Sequence, residues 1–240
     1  MLFEEPSNLM KQELREPQTY NDIIRVIAGG SSKMNEIVTG ANIEGFDSSK
    51  CNKYLGSLIS LGIVKKELPA MDIKSKKSIY RIKDGMFRFW YRFVPQNLSK
   101  IQLRQGREVY NSIEPYLSDY MGEVFEEISK EWLWRENLNG RLPVQFRDCG
   151  RWWGNNPARK EEMEIDILAF VDNEQPAIFC ECKWRNEKTD VRILDELIEK
   201  SSNFNFPDKY YIIFSKSGFT KSLEKRASNK VMLIEFKNMT

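Results

Sequence analysis

The chain has 240 residues, 41% of them hydrophobic and 12% aromatic, with 37 basic and 35 acidic side chains and no histidine. That is enough apolar material for one large or two modest cores. The missing histidine excludes Ser-His-Asp and Cys-His catalysis, His-ligated zinc and histidine general bases. No GxxxxGK[ST] loop is present, so the chain carries no P-loop of its own. No apolar run approaches the length of a membrane span, and MLFEEPSNLMK lacks the basic and apolar regions of a secretory signal. The expected setting is a reducing cytoplasm without a membrane partner, with Cys51, Cys149, Cys180 and Cys182 as free thiols. Any hydrolytic chemistry then rests on carboxylates, lysine and a hard metal.

Charge is unevenly spread. Residues 50–92 hold eleven Lys and Arg against three Asp and Glu, a local net of +8, whereas residues 96–240 hold 22 against 24. The basic region coincides with a run of short elements. Ile23, Ile24, Val26 and Ile27 suit a helix over 20–28, closed by Gly29-Gly30-Ser31-Ser32. Met34, Ile37 and Val38 suit a second over 33–39. Ser48 and Ser49 offer caps for a third, whose inner face is Cys51, Tyr54, Leu55, Leu58, Ile59 and Leu61. Strands over 64–68 and 78–82 then flank a lysine-rich loop. Three short helices and a basic two-stranded wing follow the order of a winged helix-turn-helix. In that fold the third helix and the wing face DNA, which makes Lys50, Lys53, Lys74, Lys76 and Lys77 the candidate phosphate contacts. A protein-docking role is the alternative. The aromatic run GMFRFWYRFV, residues 85–94, reads as a core helix with snorkelling arginines, with base stacking as the alternative. Pro95 ends it, giving domains over 1–95 and 96–240.

The second domain opens with a helix over 117–134. Its apolar stripe is Met121, Val124, Phe125, Ile128 and Trp132, with Glu123, Glu126 and Glu127 alongside. Short strands are expected over 142–146 and 151–153, with a turn at Gly154-Asn155-Asn156-Pro157. Next come a strand through Asp166, a hairpin turn at Asp172-Asn173-Glu174 and a strand through Glu181. A helix over 191–201, a buried strand over 209–214, a short helix over 221–227 and a last strand over 231–236 complete a mixed α/β domain, its sheet covered on both faces.

Asp166 interrupts an apolar stretch, and Glu181 and Lys183 share one strand face because side chains alternate. Ile178, Cys180, Cys182 and Trp184 fall on the other face, where the cysteines read as small buried apolar residues rather than metal ligands. Two carboxylates and a lysine on adjacent strands suit Mg²⁺ or Mn²⁺ and phosphodiester hydrolysis. The alternative is a set of solvent-facing charges neutralised by their neighbours. Arg147, Arg151, Arg159 and Lys160 precede or border the Asp166 strand and are candidate DNA contacts. Trp152 and Trp153 lie between them, at least one with a core role.

The acidic opening helix and the Asp…Glu-x-Lys spacing resemble the PD-(D/E)XK nuclease superfamily, nearest its restriction-endonuclease and Holliday-junction-resolvase types. More narrowly, YRIKDGMFRFWYRFV, GRWWG, EIDILAF and ECKW in that order resemble the C-terminal half of a prokaryotic, mostly archaeal, ATPase family. Its members carry an AAA-type P-loop ATPase domain, then a winged helix, then a nuclease-like domain. The resemblance implies that Asp166 and Glu181 bind metal, that Lys183 is the motif lysine, and that a helix glutamate, Glu126 with Glu123 as rival, completes a catalytic set of Asp166, Glu181, Lys183 and Glu126. It leaves Glu164 as ligand or rim charge and Lys200 as a residue approaching DNA. It implies a divalent-metal-dependent DNA endonuclease. The alternative is a catalytically silent DNA-binding or protein-interaction half of a larger ATPase, whose ATPase domain or partner lies outside this chain.

Overall fold

The computed structural model describes residues 5–13, 16–72, 77–156 and 160–239. Two compact units emerge, one of residues 1–68 and 74–113, the other of residues 69–73 and 114–240. The first contains α1 (Glu5–Glu13), α2 (Pro17–Ala28), α3 (Met34–Ala41), α4 (Ser48–Ser60), β1 (Val64–Glu67) and β2 (Ile79–Ile82). The strands pair antiparallel from Val64↔Ile82 to Glu67↔Ile79. α1 was not legible in the periodicity, yet its Met10 is fully buried. Ile23, Ile24, Ile37, Cys51, Leu55 and Leu58 form the core with it. The cap of α4 is Asp47 rather than Ser48 or Ser49. Its extended backbone lets the carboxylate accept the Lys50 N–H at 2.8 Å.

α5 (Gly85–Phe93) is capped by Asp84, which accepts the Phe87 N–H at 2.9 Å. It buries Phe87, Trp90, Tyr91 and Phe93, and Arg92 donates to the Ala28 carbonyl at 3.1 Å. Those four rings belong to the core. α6 (Leu98–Gln102) leads to α7 (Gly106–Leu138), a 33-residue helix in which Pro115 is internal. The units divide within α7, between Ile113 and Glu114, rather than at residue 95. Ile113 is buried, and Ser112 Oγ donates to Asn97 Oδ1, which ties the first turns of α7 to the first unit.

The second unit holds one five-stranded sheet in chain order: β3 (Asp148–Asn156), β4 (Glu161–Phe170), β5 (Ala177–Lys183), β6 (Lys209–Ser215) and β7 (Val231–Glu235). β3, β4 and β5 are antiparallel, and β5, β6 and β7 parallel. α8 (Val191–Ser201) connects β5 to β6, and α9 (Lys221–Glu224) lies before β7. One face packs Ile165, Phe179 and Ile213 with Leu194 and Leu197 of α8. The other packs Ile167, Ile178, Cys180 and Phe214 with Phe125, Trp132 and Leu133 of α7. This is the mixed α/β architecture read from the sequence, with both faces of the sheet covered.

Two local expectations change. Residues 142–146 form no strand: the Asn137 side chain donates to the Phe146 carbonyl and accepts its N–H, both at 3.0 Å, standing in for a strand partner. Gly154, Asn155 and Asn156 are not a turn but the end of β3, opposite Met163, Glu162 and Glu161. Glycine is required at 154, where a Cβ would meet the Trp152 ring at 2.7 Å. That ring is anchored against Phe204, with centroids 4.8 Å apart, so Trp152 has a core role.

Candidate metal centre

The β3–β4 pairing slips once. Gly150 stands opposite Leu168 and Trp152 opposite Ile165, so Arg151 alone faces both Asp166 and Ile167. The extra residue in β4 reverses its alternation: Met163 and Ile165 enter the α8 layer, but Ile167 enters the α7 layer. Asp166 sits on this bulge, a device that re-aims a side chain. Here too the β4–β5 ladder ends, at Ile167↔Cys180. At the next step the Asp166 carboxylate accepts the Cys182 N–H at 2.8 Å in place of a backbone partner. β5 stays paired to β6, through Glu181↔Ile213 and Lys183↔Ser215. Asp166 and Glu181 thus lie at the fork where β4 and β5 part.

The electrostatics follow from that geometry. Burial, and then the charge of Glu181, push Asp166 up to about 6; the Cys182 N–H, Lys183 and Arg151 work in the opposite direction. Glu181 is buried, and each of its oxygens holds a lysine: Lys183 at 2.5 Å and Lys200 of α8 at 3.3 Å. Burial works to lower Lys183, but the charge and hydrogen bond of Glu181, with Asp166 behind them, outweigh it and leave the ammonium raised. Lys183 is therefore held as a cation beside both carboxylates. The thiols of Cys180 and Cys182 are pushed well up by burial on the opposite face, which suits apolar packing and not ligation.

A second charged cluster lies on the α7 side of the sheet. There Arg151 pairs with both Glu126 of α7 and Glu164 of β4. Its side chain is only 13% exposed. One expectation changes here. Arg151 is not a free groove arginine but the link between two carboxylates. Glu126 is engaged by Arg151, whose charge also acts on Asp166. Among the described residues, neither Glu126 nor Glu123 completes a group of three acidic or thiol ligands around the pair. The carboxylates the fold brings together at the fork are Asp166 and Glu181. Two oxygen-donor carboxylates, one raised by burial and by the charge of the other, are the kind of ligand a hard divalent ion takes.

The other expected contacts fall as follows. Arg147 and Lys160 are exposed beside β3 and β4. In the first unit Lys50, Lys53 and Lys77 are exposed, and Lys50 Nζ donates to the Gly45 carbonyl at 2.6 Å. Lys74, Lys76 and Arg159 lie outside the described residues. Sequence reasoning missed a cavity of about 480 Å³ that Lys183 shares with Arg185, Lys188, Arg192 and Glu196. The basic residues just past ECKW were the available signal. It was obscured by the acidic residues interspersed among them.

Residues 90–194 match the DUF234 family, described as archaeal and bacterial proteins of unknown function. The uncharacterized protein MJECL04 of Methanocaldococcus jannaschii is 34% identical over 237 residues, covering 97% of this chain and 50% of that protein. The chain thus spans about half the length of this curated relative. Two solved structures align over most of the chain. Protein VC1899 from Vibrio cholerae does so at 13% identity with a TM-score of 0.37, over 99% of this chain and 51% of that one. Can2 from Sulfobacillus thermosulfidooxidans, solved in complex with cyclic tetra-adenylate, does so at 11% identity with a TM-score of 0.33, over 97% and 52%. No helix among the described residues is long and apolar enough to cross a membrane.

Proposed function

We propose that the second unit is a divalent-metal-dependent DNA endonuclease of the PD-(D/E)XK type and that the first is a winged helix that brings it to DNA. The observation that carries the reading is the pair Asp166 and Glu181 at the strand fork, with Lys183 beside them. Asp166 and Glu181 would hold Mg²⁺ or Mn²⁺, which when bound supplies a Lewis acid and an activated water. Lys183 offers a fixed positive charge to a phosphate oxygen or the attacking water. Cys182 holds Asp166 in place through its backbone N–H, and the bulge opposite Arg151 aims that carboxylate. The cavity next to Lys183 offers Arg185 and Lys188 to the neighbouring backbone of the strand. Lys50, Lys53 and Lys77 give the first unit a cationic surface whose DNA affinity falls steeply with salt.

The test is digestion of single-stranded, duplex and branched DNA with Mn²⁺, comparing the parent with Asp166→Asn. The parent cleaves and the variant does not. Absence of cleavage by the parent, together with no heat of Mn²⁺ binding at millimolar concentration, overturns the reading.

A second reading draws on the coverage of MJECL04 by this chain. A protein of twice this length has room for another domain, and the residues here would then form its catalytically silent DNA-binding or protein-interaction half, attached to an ATPase. Retained DNA binding without Mn²⁺ binding favours that reading.

A further inference from the structure

Glu181 is a carboxylate with two oxygens and two lysines. Lys183, its neighbour on the same strand face, takes Oε1 at 2.5 Å, and Lys200 reaches down from the last turn of α8 to Oε2 at 3.3 Å. A buried carboxylate needs such partners when no metal is present. A divalent ion on Glu181 competes with the lysines for those oxygens and repels their charge, so the more loosely held lysine is the one it displaces.

The two lysines are not equivalent. Lys183 is two residues away on β5, makes the shorter contact and has a side chain 18% exposed. The charge of Asp166, as well as that of Glu181, favours its ammonium form. Lys200 belongs to another element, makes the longer contact and has a side chain 29% exposed. It has a long flexible stem and solvent to move into, so it is the cheaper to release. Lys209, also near the end of α8, is engaged elsewhere, donating to the Ser201 carbonyl at 2.8 Å.

We infer that Lys200 is an exchangeable counter-cation. It neutralises Glu181 in the metal-free protein, leaves when a divalent ion binds there, and is thereby freed to contact a phosphate of the nucleic-acid strand. Release of Lys200 couples the two binding events: metal frees the lysine, and the lysine then adds to the grip on the substrate. By reciprocity, DNA that captures Lys200 strengthens metal binding. The inference rests on the nuclease reading for the identity of the strand, but its first half concerns only the metal.

The experiment compares the parent with Lys200→Met, which keeps the stem and removes the charge, and Lys200→Arg, which keeps the charge. Mn²⁺ binding is measured by calorimetry. Lys200→Met is expected to bind roughly tenfold more tightly than the parent, because a competing cation is gone. Lys200→Arg is expected to stay within about threefold of it. Glu181→Gln should abolish binding in each background, which assigns the site. Affinity for a DNA duplex is then measured without metal and with Ca²⁺. Parent and Lys200→Met should bind alike without metal, and with Ca²⁺ the variant should be weaker by about threefold or more. Thermal melting checks that both variants are folded, and Lys200→Gln replaces the methionine variant if that one is not.

Equal or weaker Mn²⁺ binding by Lys200→Met overturns the inference, as does absence of Mn²⁺ binding by parent and variant alike. A loss of DNA affinity of the same size without metal overturns the exchange. If Lys200→Met binds Mn²⁺ more tightly and shows the Ca²⁺-dependent DNA effect but neither protein cleaves DNA, the exchange stands and the nuclease reading falls.

Discussion

The two faces of the second unit's sheet carry similar charges put to different ends. On the α7 face one arginine joins two carboxylates: Arg151 links Glu126 and Glu164 across three elements. On the α8 face two lysines share one carboxylate, and a second carboxylate, Asp166, stands nearby with its charge opposed by Glu181. The first arrangement is satisfied. The second holds a group raised by burial and by a like charge, the imbalance that a bound divalent ion relieves. The same residue types thus make a structural clasp on one side and a candidate reactive centre on the other. What separates them is a one-residue bulge and the fork between β4 and β5.

The largest effect should come from breaking the clasp. Arg151→Met leaves Glu126 and Glu164 facing each other without their cation and should cost about 3 kcal/mol of stability. Urea denaturation checks it, and a change under about 0.5 kcal/mol would show that the α7 face is not a clasp.

Lys183→Met acts on the other face and should do the reverse, leaving the fold in place while slowing cleavage roughly 100-fold. Single-turnover rates with Mn²⁺ measure this. A variant that cleaves like the parent removes Lys183 from the chemistry.

The opposed carboxylate can be read through pH. Asp166 is raised from 3.8 to about 6 in the folded chain. Between those values the folded state holds more protons than the unfolded, so stability falls as pH rises through this window and the cost persists above it. Asp166→Asn should remove that slope and gain about 2 kcal/mol at pH 8 in metal-free protein, with little gain near pH 4. Denaturation curves at the two pH values decide it, and a variant less stable than the parent at pH 8 would show that Asp166 is not opposed.

The smallest effect on stability belongs to the first unit, where the comparison is with exposed surface charges. Replacing the exposed Lys50, Lys53 and Lys77 with glutamate should shift stability by less than about 0.5 kcal/mol per residue. The same change should lower DNA affinity and flatten its salt dependence. Unchanged binding would move the DNA contact elsewhere.

Much of this was legible along the chain because it depends on local periods. The two-residue repeat of a strand put Glu181 and Lys183 on one face and Cys180 and Cys182 on the other, and the structure keeps both assignments. The 3.6-residue repeat defined α8 at its observed limits and identified Phe125 and Trp132 as the buried stripe of α7. Asp166 stood out because a carboxylate in an apolar strand needs a reason. What the tertiary structure alone decided is which charges meet. An extra residue in β4 opposite Arg151 has no signature in composition, yet it reverses the strand's faces and aims Asp166 at the fork. Glu126 could be placed beside the apolar stripe of its helix, but not on one side of a sheet whose faces are set by long-range packing. Arg151 resembled a free DNA contact until its two carboxylates, 25 and 13 residues away, were brought to it. Lys200 met Glu181 because α8 packs on the face that Phe179 and Glu181 share, a contact that exists only once the helix has folded back onto the sheet.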